Sequence, residues 1–262
     1  MYTVGSVLII TSEGTGRVAA LAAVTTTLAG ASGAVACLFF DAIIDAFHTG
    51  EASYDLTAAM NGTLSGLVAI TAGCATVTPW CAIIIGAIAG VLYLLSSKLL
   101  IKLRIDDAVD AIPVHLTNGL WGVIAAGLFS KRDLMSNAGY SGDHAGWFFE
   151  WGNGSANASV LVTQLAGAAW IIGWVTFLMV PFFLVLNAAG MFRIDAIEEE
   201  VGLDISHHRG AAYDLSTAKK ADVEELLEFR ASRHGKVEVP MEVSKAPVVV
   251  QKVPKDVDED EA

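Results

Sequence analysis

The segment from residue 106 to residue 122 reads DDAVDAIPVHLTNGLWG. Its acidic start is followed by Pro113 and His115, and the apolar run continues to Phe129. A bilayer span needs ~20 mainly apolar residues, and an ionisable side chain within such a span is costly and usually faces a cavity or pathway. We therefore predict a membrane span over about 109–129 that carries a functional histidine. A core histidine bonded to a neighbouring helix is the alternative.

Four further segments are apolar and long enough to span a bilayer, over about residues 18–40, 58–77, 80–100 and 160–190. The whole chain is 54% hydrophobic and 17% charged, against roughly 25% charged residues in soluble domains. We predict an all-α, polytopic membrane helix bundle with five spans in residues 1–190. Residues 191–262 form a charged cytosolic tail, which we expect to be disordered after about residue 237.

Pairs of glycines recur four residues apart within two of these spans. Gly62 and Gly66 lie in the second span, and Gly86 and Gly90 lie in the third. Glycines at this spacing share one helix face and let two helix backbones approach closely in lipid. The pattern predicts close helix–helix packing along both spans.

Basic residues indicate how the spans are oriented. Lys98, Lys102 and Arg104 lie between the third and fourth spans, and the positive-inside rule places such a loop in the cytosol. The loop 130–159 is then outside and the tail inside. Asn153 and Asn157 in the outer loop match the glycosylation pattern, which agrees with this orientation, whereas Lys131 and Arg132 in the same loop oppose it.

The net charge of −12 argues against nucleic-acid binding, which needs a basic surface. The three cysteines, Cys37, Cys74 and Cys81, lie in or beside apolar runs and form no C-x-x-C pair. We interpret them as small buried side chains rather than metal ligands. The sequence therefore predicts neither a metal site nor a cofactor.

Three blocks of the sequence together resemble the ammonium transporter family (Amt/Mep/Rh). The first block is residues 106–122, with its acidic run, Val-His step and Gly-x-x-Gly pattern. The second reads GLVAITAGC at residues 66–74, and the third reads EVGLDISHHRGAAY at residues 200–213. They keep the family's order, and the resemblance covers about residues 5–214.

This resemblance implies that the chain is a fragment, namely the C-terminal half of a transporter, with the family's helices 7 to 11 and its regulatory tail. It implies a membrane transporter rather than an enzyme, with ammonium or ammonia as substrate. It also implies a homotrimer with one pore per subunit, surrounded by lipid, in the plasma membrane.

The resemblance also implies roles for single residues of the pore. His115 matches the second of two hydrogen-bonded pore histidines, and the first belongs to a helix upstream of this chain. Ser6 matches a serine that recruits the cation together with aromatic faces. The remaining positions are pore-adjacent or mark the cytosolic mouth: Thr71, Asn118 and Trp121, and Asp107 and Asp110. Thr71 bonding its own helix backbone is an equal alternative.

In the tail, the matched positions are Gly202, Asp204, His208 and Tyr213, and Arg209 stands where the family usually has glycine. A kinase or a regulatory protein would act on this tail, with Ser206 as the candidate phosphosite. Residues 216–234 additionally predict a helix capped by Ser216 or Thr217.

A histidine in a pore has a clear physical use. Transfer of the ammonium ion out of water costs much free energy, whereas transfer of neutral ammonia costs far less. A pore can therefore remove the proton and pass ammonia through an apolar lumen, and imidazole is a proton carrier that titrates near neutral pH.

Two other functions fit parts of the sequence. An ammonium sensor on the same fold would use the tail as its output. An intramembrane serine protease would pair Ser32, in the Gly-Ala-Ser-Gly run at residues 30–33, with His115. The protease motif fails, however, because the next glycine after His115 is Gly119, four residues later rather than three.

Overall fold

The computed structural model describes residues 13–194 and position 199, and the regular elements in this part of the chain are helices. They are α1 (Glu13–Thr49), α2 (Leu56–Ile70), α3 (Pro79–Leu103), a π-helical segment (Ile112–Thr117), α4 (Asn118–Phe129), α5 (Arg132–Asn137), α6 (Trp147–Gly152) and α7 (Ser159–Ala188). The all-α prediction is confirmed for these residues. The residues before Glu13, among them Ser6, lie outside the described residues. So does the tail after residue 194, apart from position 199, and with it the predicted helix.

Helical segments occupy the five predicted spans, with shifted boundaries. Four of the described segments are long and apolar enough to cross a bilayer by length and composition: Gly14–Thr49, Pro79–Leu103, Ile112–Phe129 and Ser159–Ala188. The fifth, α2, has 15 residues and ends at Ile70, although the apolar run was expected to reach Val77.

The early end of α2 coincides with a change in backbone hydrogen bonding and with a contact to α1. The main-chain N–H groups of Thr71 and Gly73 bond to carbonyl oxygens three residues back, at 3.1 and 3.0 Å, and turns follow. This tightening frees the Cys74 carbonyl oxygen, which accepts a 2.7 Å bond from the Thr25 hydroxyl of α1. A neighbouring helix thus satisfies the backbone that leaves the α-helical pattern, as an apolar environment requires.

Helices α1 and α2 pack along the first pair of glycines. A Cβ added to Gly62 would lie 2.4 Å from the Cys37 Cβ, and one added to Gly66 would lie 2.2 Å from the Ala29 carbonyl oxygen. Both distances are shorter than van der Waals contact, so only glycine allows the two backbones to come this close. The predicted packing along α2 is confirmed.

Helices α1 and α3 pack along the second pair in the same way. A Cβ on Gly86 would lie 2.1 Å from the Ala29 carbonyl oxygen, and one on Gly90 would lie 2.4 Å from the Gly33 carbonyl oxygen. The predicted packing along α3 is therefore confirmed too. Ala29 is the point at which all three helices approach one another.

Near the C-terminal end of α1, an ion pair adds a polar contact between α1 and α3. Lys98 Nζ of α3 lies 3.0 Å from Asp41 Oδ1 of α1. Helix α1 ends at Thr49, and the next residue, Gly50, adopts φ 84° and donates its N–H to the Ala46 carbonyl oxygen at 3.1 Å. A glycine in the left-handed region is a common helix terminator.

The loop between α4 and α7 is held by one buried carboxylate. The Glu150 side chain is 5% exposed and accepts a 2.7 Å bond from Arg132, and the Ala145 N–H donates to the same oxygen at 2.7 Å. The hydrogen bond from the Ala145 N–H contributes most to holding the pKa of Glu150 below its usual range, and the Arg132 guanidinium adds to this effect. Lys131 is paired with Asp133 at 3.1 Å, so both basic residues of this loop are locally neutralised.

Helix α7 has apolar side chains along its length, and none of its 30 residues is buried. Trp170 is 75% exposed and Trp174 is 55% exposed. Exposed apolar area on this scale marks a surface that faces lipid or another protein segment.

Candidate functional site

His115 lies in the π-helical segment, between the buried Val114 and the exposed Leu116, and its own side chain is exposed. In this segment, Pro113 and Val114 face the interior of the described residues, whereas the imidazole faces outward. Short π-helical stretches are rare and occur frequently at functional sites. The structure therefore places the predicted histidine on an irregular stretch of an otherwise apolar span.

Asp107 caps the start of this segment. Its Oδ1 accepts the Ala111 N–H at 2.8 Å, and its Oδ2 accepts the Ile112 N–H at 2.7 Å. The first N–H groups of a helix have no partner within the helix, and a carboxylate there is also favoured by the helix dipole. Asp107, which was predicted at the cytosolic mouth, thus accepts main-chain hydrogen bonds just before the segment that carries His115.

Asp110 is the centre of a polar network that joins three parts of the chain. It has φ 54°, a left-handed conformation that is uncommon outside glycine. Its Oδ2 accepts a 2.7 Å bond from the Tyr93 hydroxyl, and its Oδ1 accepts a 2.9 Å bond from the Ser97 hydroxyl. The Tyr93 oxygen in turn accepts a 2.9 Å bond from the Asn61 amide of α2.

Sequence reasoning missed the partners of Asp110. Tyr93 and Ser97 are four residues apart and therefore share one face of α3. Asn61 lies within the apolar run predicted as the second span. A polar side chain within such a span is the signal that could have revealed this network, because it needs a partner there.

Asn118 is fully buried at the first position of α4. Its amide Nδ2 donates to the Pro113 carbonyl oxygen at 2.9 Å, and its Oδ1 has no hydrogen-bond partner among the described residues. The structure thus brings Asn118 against the backbone of the segment that carries His115.

The other two predicted pore-adjacent residues point elsewhere in the described chain. The Trp121 indole donates to the Ile85 carbonyl oxygen of α3 at 3.1 Å. The Thr71 hydroxyl donates to the Val68 carbonyl oxygen of its own helix at 2.7 Å, which is the alternative that the sequence left open. A role of either residue beside a pore stays a prediction.

The remaining candidates divide into two groups. Ser32, the protease candidate, donates to the Ala29 carbonyl oxygen at 3.2 Å and lies at the close contact with Gly86, so packing accounts for the Gly-Ala-Ser-Gly run. The recruitment and tail candidates fall outside the described residues: Ser6, Gly202, Asp204, Ser206, His208, Arg209 and Tyr213.

Comparison with known proteins identifies the class of this chain. The sequence profile described as the Ammonium Transporter Family matches residues 4–213. The chain belongs to this family, whose members are transporters. The membership and the apolar helices together make it a multi-pass membrane protein.

Curated relatives agree with this assignment. The chain is 38% identical over 191 residues to ammonium transporter 1 member 2 of Arabidopsis thaliana, covering 73% of this chain and 35% of that protein. It is 40% identical over 188 residues to a putative ammonium transporter of Synechocystis, covering 72% of this chain and 36% of that protein. The chain thus spans little more than a third of the length of these relatives.

Solved structures show the same fold. Saccharomyces cerevisiae Mep2 matches with a TM-score of 0.57 and 27% identity, over 69% of this chain and 38% of that chain. A structure described as a sensor Amt protein matches with a TM-score of 0.61 and 28% identity, over 79% of this chain and 45% of that chain.

Proposed function

We propose that this chain is the C-terminal half of an ammonium transporter, corresponding to the family's helices 7 to 11 and its cytosolic tail. The observation that carries the proposal is the exposed imidazole of His115 within an apolar helical segment of span length. An ionisable side chain on such a segment is expensive in lipid. The cost is avoided where a further protein segment covers the imidazole and encloses a polar path beside it.

The proposed transport step divides ammonium into a proton and ammonia. Ammonia crosses the apolar lumen as the neutral molecule, because its desolvation is far less costly than that of the ion. His115 accepts or passes on the proton together with a second imidazole, which we place on a helix of the upstream half. In this proposal, Thr71, Asn118 and Trp121 lie near the path, and Asp107 and Asp110 lie near its cytosolic mouth.

The apolar faces of the described helices support a larger assembly. Helix α7 has no buried residue, and Phe39 and Ile43 on α1 are 54% and 50% exposed. Lipid, the upstream helices and neighbouring subunits of a homotrimer are the proposed occupants of these faces. We place five crossings in the plasma membrane, with the loop 130–159 outside and the tail, a target for a kinase or regulatory protein, in the cytosol.

The sensor alternative uses the same fold but a different output. The two curated relatives named above are described as an ammonium transporter and a putative ammonium transporter, and this favours transport. A sensor would bind ammonium without moving it across the membrane.

Uptake of isotopically labelled ammonium tests the proposed function. We expect the complete protein, reconstituted in sealed vesicles, to accumulate label in the lumen well above protein-free vesicles. Ammonium that remains bound to the protein and never reaches the lumen would contradict transport and support the sensor.

A further inference from the structure

We propose that Asn118 is a positioning residue for His115: its side-chain amide fixes the π-helical backbone that carries the imidazole. This inference rests on the proposed function, because it assigns Asn118 a role through the histidine of the transport path. It differs from a role at the pore surface, since the Asn118 side chain is fully buried.

The junction between the π-helical segment and α4 is where the amide acts. In a π-helix, each N–H bonds to the carbonyl five residues back, whereas in an α-helix it bonds four residues back. The main-chain N–H of Asn118 bonds to the His115 carbonyl oxygen instead, only three residues back. The Pro113 carbonyl, five residues back, accepts the Asn118 side-chain amide at 2.9 Å. The side chain therefore substitutes for the main-chain donor that a continuing π-helix would supply.

The surroundings of Asn118 show that packing alone does not require an amide. One turn later, a Cβ on Gly122 would lie 2.4 Å from the Ala69 carbonyl oxygen of α2. One turn earlier, Val114 belongs to the same apolar cluster as Ala58 of α2. Asn118 itself is fully buried, and its Oδ1 has no partner among the described residues. Because an unpaired buried oxygen is costly, packing by itself would favour an apolar side chain here.

Ser65 of α2 provides the control variant. Ser65 is fully buried, and its hydroxyl has no hydrogen-bond partner in the described part of the chain. Removing that hydroxyl deletes a buried polar atom from a helix other than the one that carries His115.

The consequence for His115 is geometric. A π-helical stretch holds an additional residue compared with an α-helix, and each residue turns an α-helix by about 100°. If the stretch relaxed to α-helix, the residues before and after it would rotate against each other by about that angle. The amide of Asn118 at one end and the carboxylate of Asp107 at the other end oppose this relaxation. They keep His115 on the exposed face while Pro113 and Val114 remain buried.

Transport kinetics of the complete protein provide the first test. We expect Asn118→Leu to lower the maximal uptake rate at least roughly tenfold, because small displacements of a reacting group have effects of this size. The concentration for half-maximal uptake and the membrane abundance should stay within about twofold. Ser65→Ala should leave all three quantities within about twofold of the unchanged protein. Equal uptake by Asn118→Leu and Ser65→Ala, at equal abundance, would overturn the proposal.

Solid-state NMR of the same protein provides a readout that does not depend on transport. We expect a dipolar coupling between the Pro113 carbonyl carbon and the Asn118 side-chain nitrogen. We also expect the ring-nitrogen signals of His115 to shift in Asn118→Leu and to stay in place in Ser65→Ala. If Asn118→Leu does not reach the membrane, Asn118→Ala is the second variant, since it removes the side-chain donor without adding volume.

The two readouts separate the possible failures. Unshifted His115 signals in both Asn118 variants would overturn the positioning role, even if the unchanged protein transports ammonium. Shifted His115 signals in a protein that moves no ammonium would support the positioning role and contradict the proposed function.

Discussion

Replacing His115 by alanine in the complete protein should abolish ammonium transport, or convert it to a different mode, without lowering membrane abundance. The reason is that a single upstream imidazole cannot relay a proton across the lumen. The His115 side chain is exposed in the described part of the chain, so its removal leaves the buried contacts of Pro113 and Val114 intact. The measurement is initial uptake of labelled ammonium, normalised to protein in the membrane.

A second histidine provides the control for this experiment. His48 lies in the last turn of α1 and is exposed, so His48→Ala removes the same group away from the π-helical segment. We expect His48→Ala to transport like the unchanged protein. Transport by His115→Ala with unchanged rate and selectivity would contradict a role of this imidazole in the path.

The second large effect concerns Gly86, at which α3 meets α1. We expect Gly86→Ala to destabilise the protein by about 1–3 kcal/mol, the usual cost of overpacking a close contact. The added Cβ would lie 2.1 Å from the Ala29 carbonyl oxygen and 2.3 Å from the Ser32 hydroxyl. Neither helix backbone can yield without separating from the other. The measurement is the midpoint of thermal unfolding in detergent, followed by size-exclusion chromatography.

Helix α7 offers a matched glycine for this comparison. A Cβ on Gly173 would meet no other atom within 4 Å, so Gly173→Ala adds the same methyl group in open space. We expect its midpoint to stay the same or rise slightly, since alanine is the better helix former. Equal midpoints for Gly86→Ala and the unchanged protein would show that the α1–α3 contact is looser than the structure has it.

The helices and their packing were largely predictable because lipid imposes simple requirements. A span must be long, apolar and internally hydrogen-bonded, and these properties are readable from single stretches of sequence. The glycine pairs were predictable for a related reason, since a spacing of four residues places both members on one helix face. Gly62 of α2 and Gly86 of α3 illustrate this, since both lie at close contacts with the backbone of α1.

The irregular parts were less predictable because they depend on contacts between distant residues. The end of α2 at Ile70 depends on the Thr25 hydroxyl, 49 residues earlier than its acceptor Cys74. The π-helical segment is stabilised by Asp107 and Asn118, whose side chains bond to the backbone at its two ends. Sequence reasoning singled out His115, Asp107, Asp110 and Asn118, whose roles in transport stay predictions, and it gave no account of the hydrogen bonds that hold them.

Separating the two proposed halves tests the central claim most directly. A half-pore would expose His115 and polar edges such as Thr71 to lipid, with no water to offset the cost. The measurement is ammonium uptake in a transporter-deficient cell that expresses this chain, the upstream half, or both. We predict uptake only when both are expressed and assemble. Robust uptake from this chain by itself, at normal abundance, would contradict a pore that needs histidines from both halves.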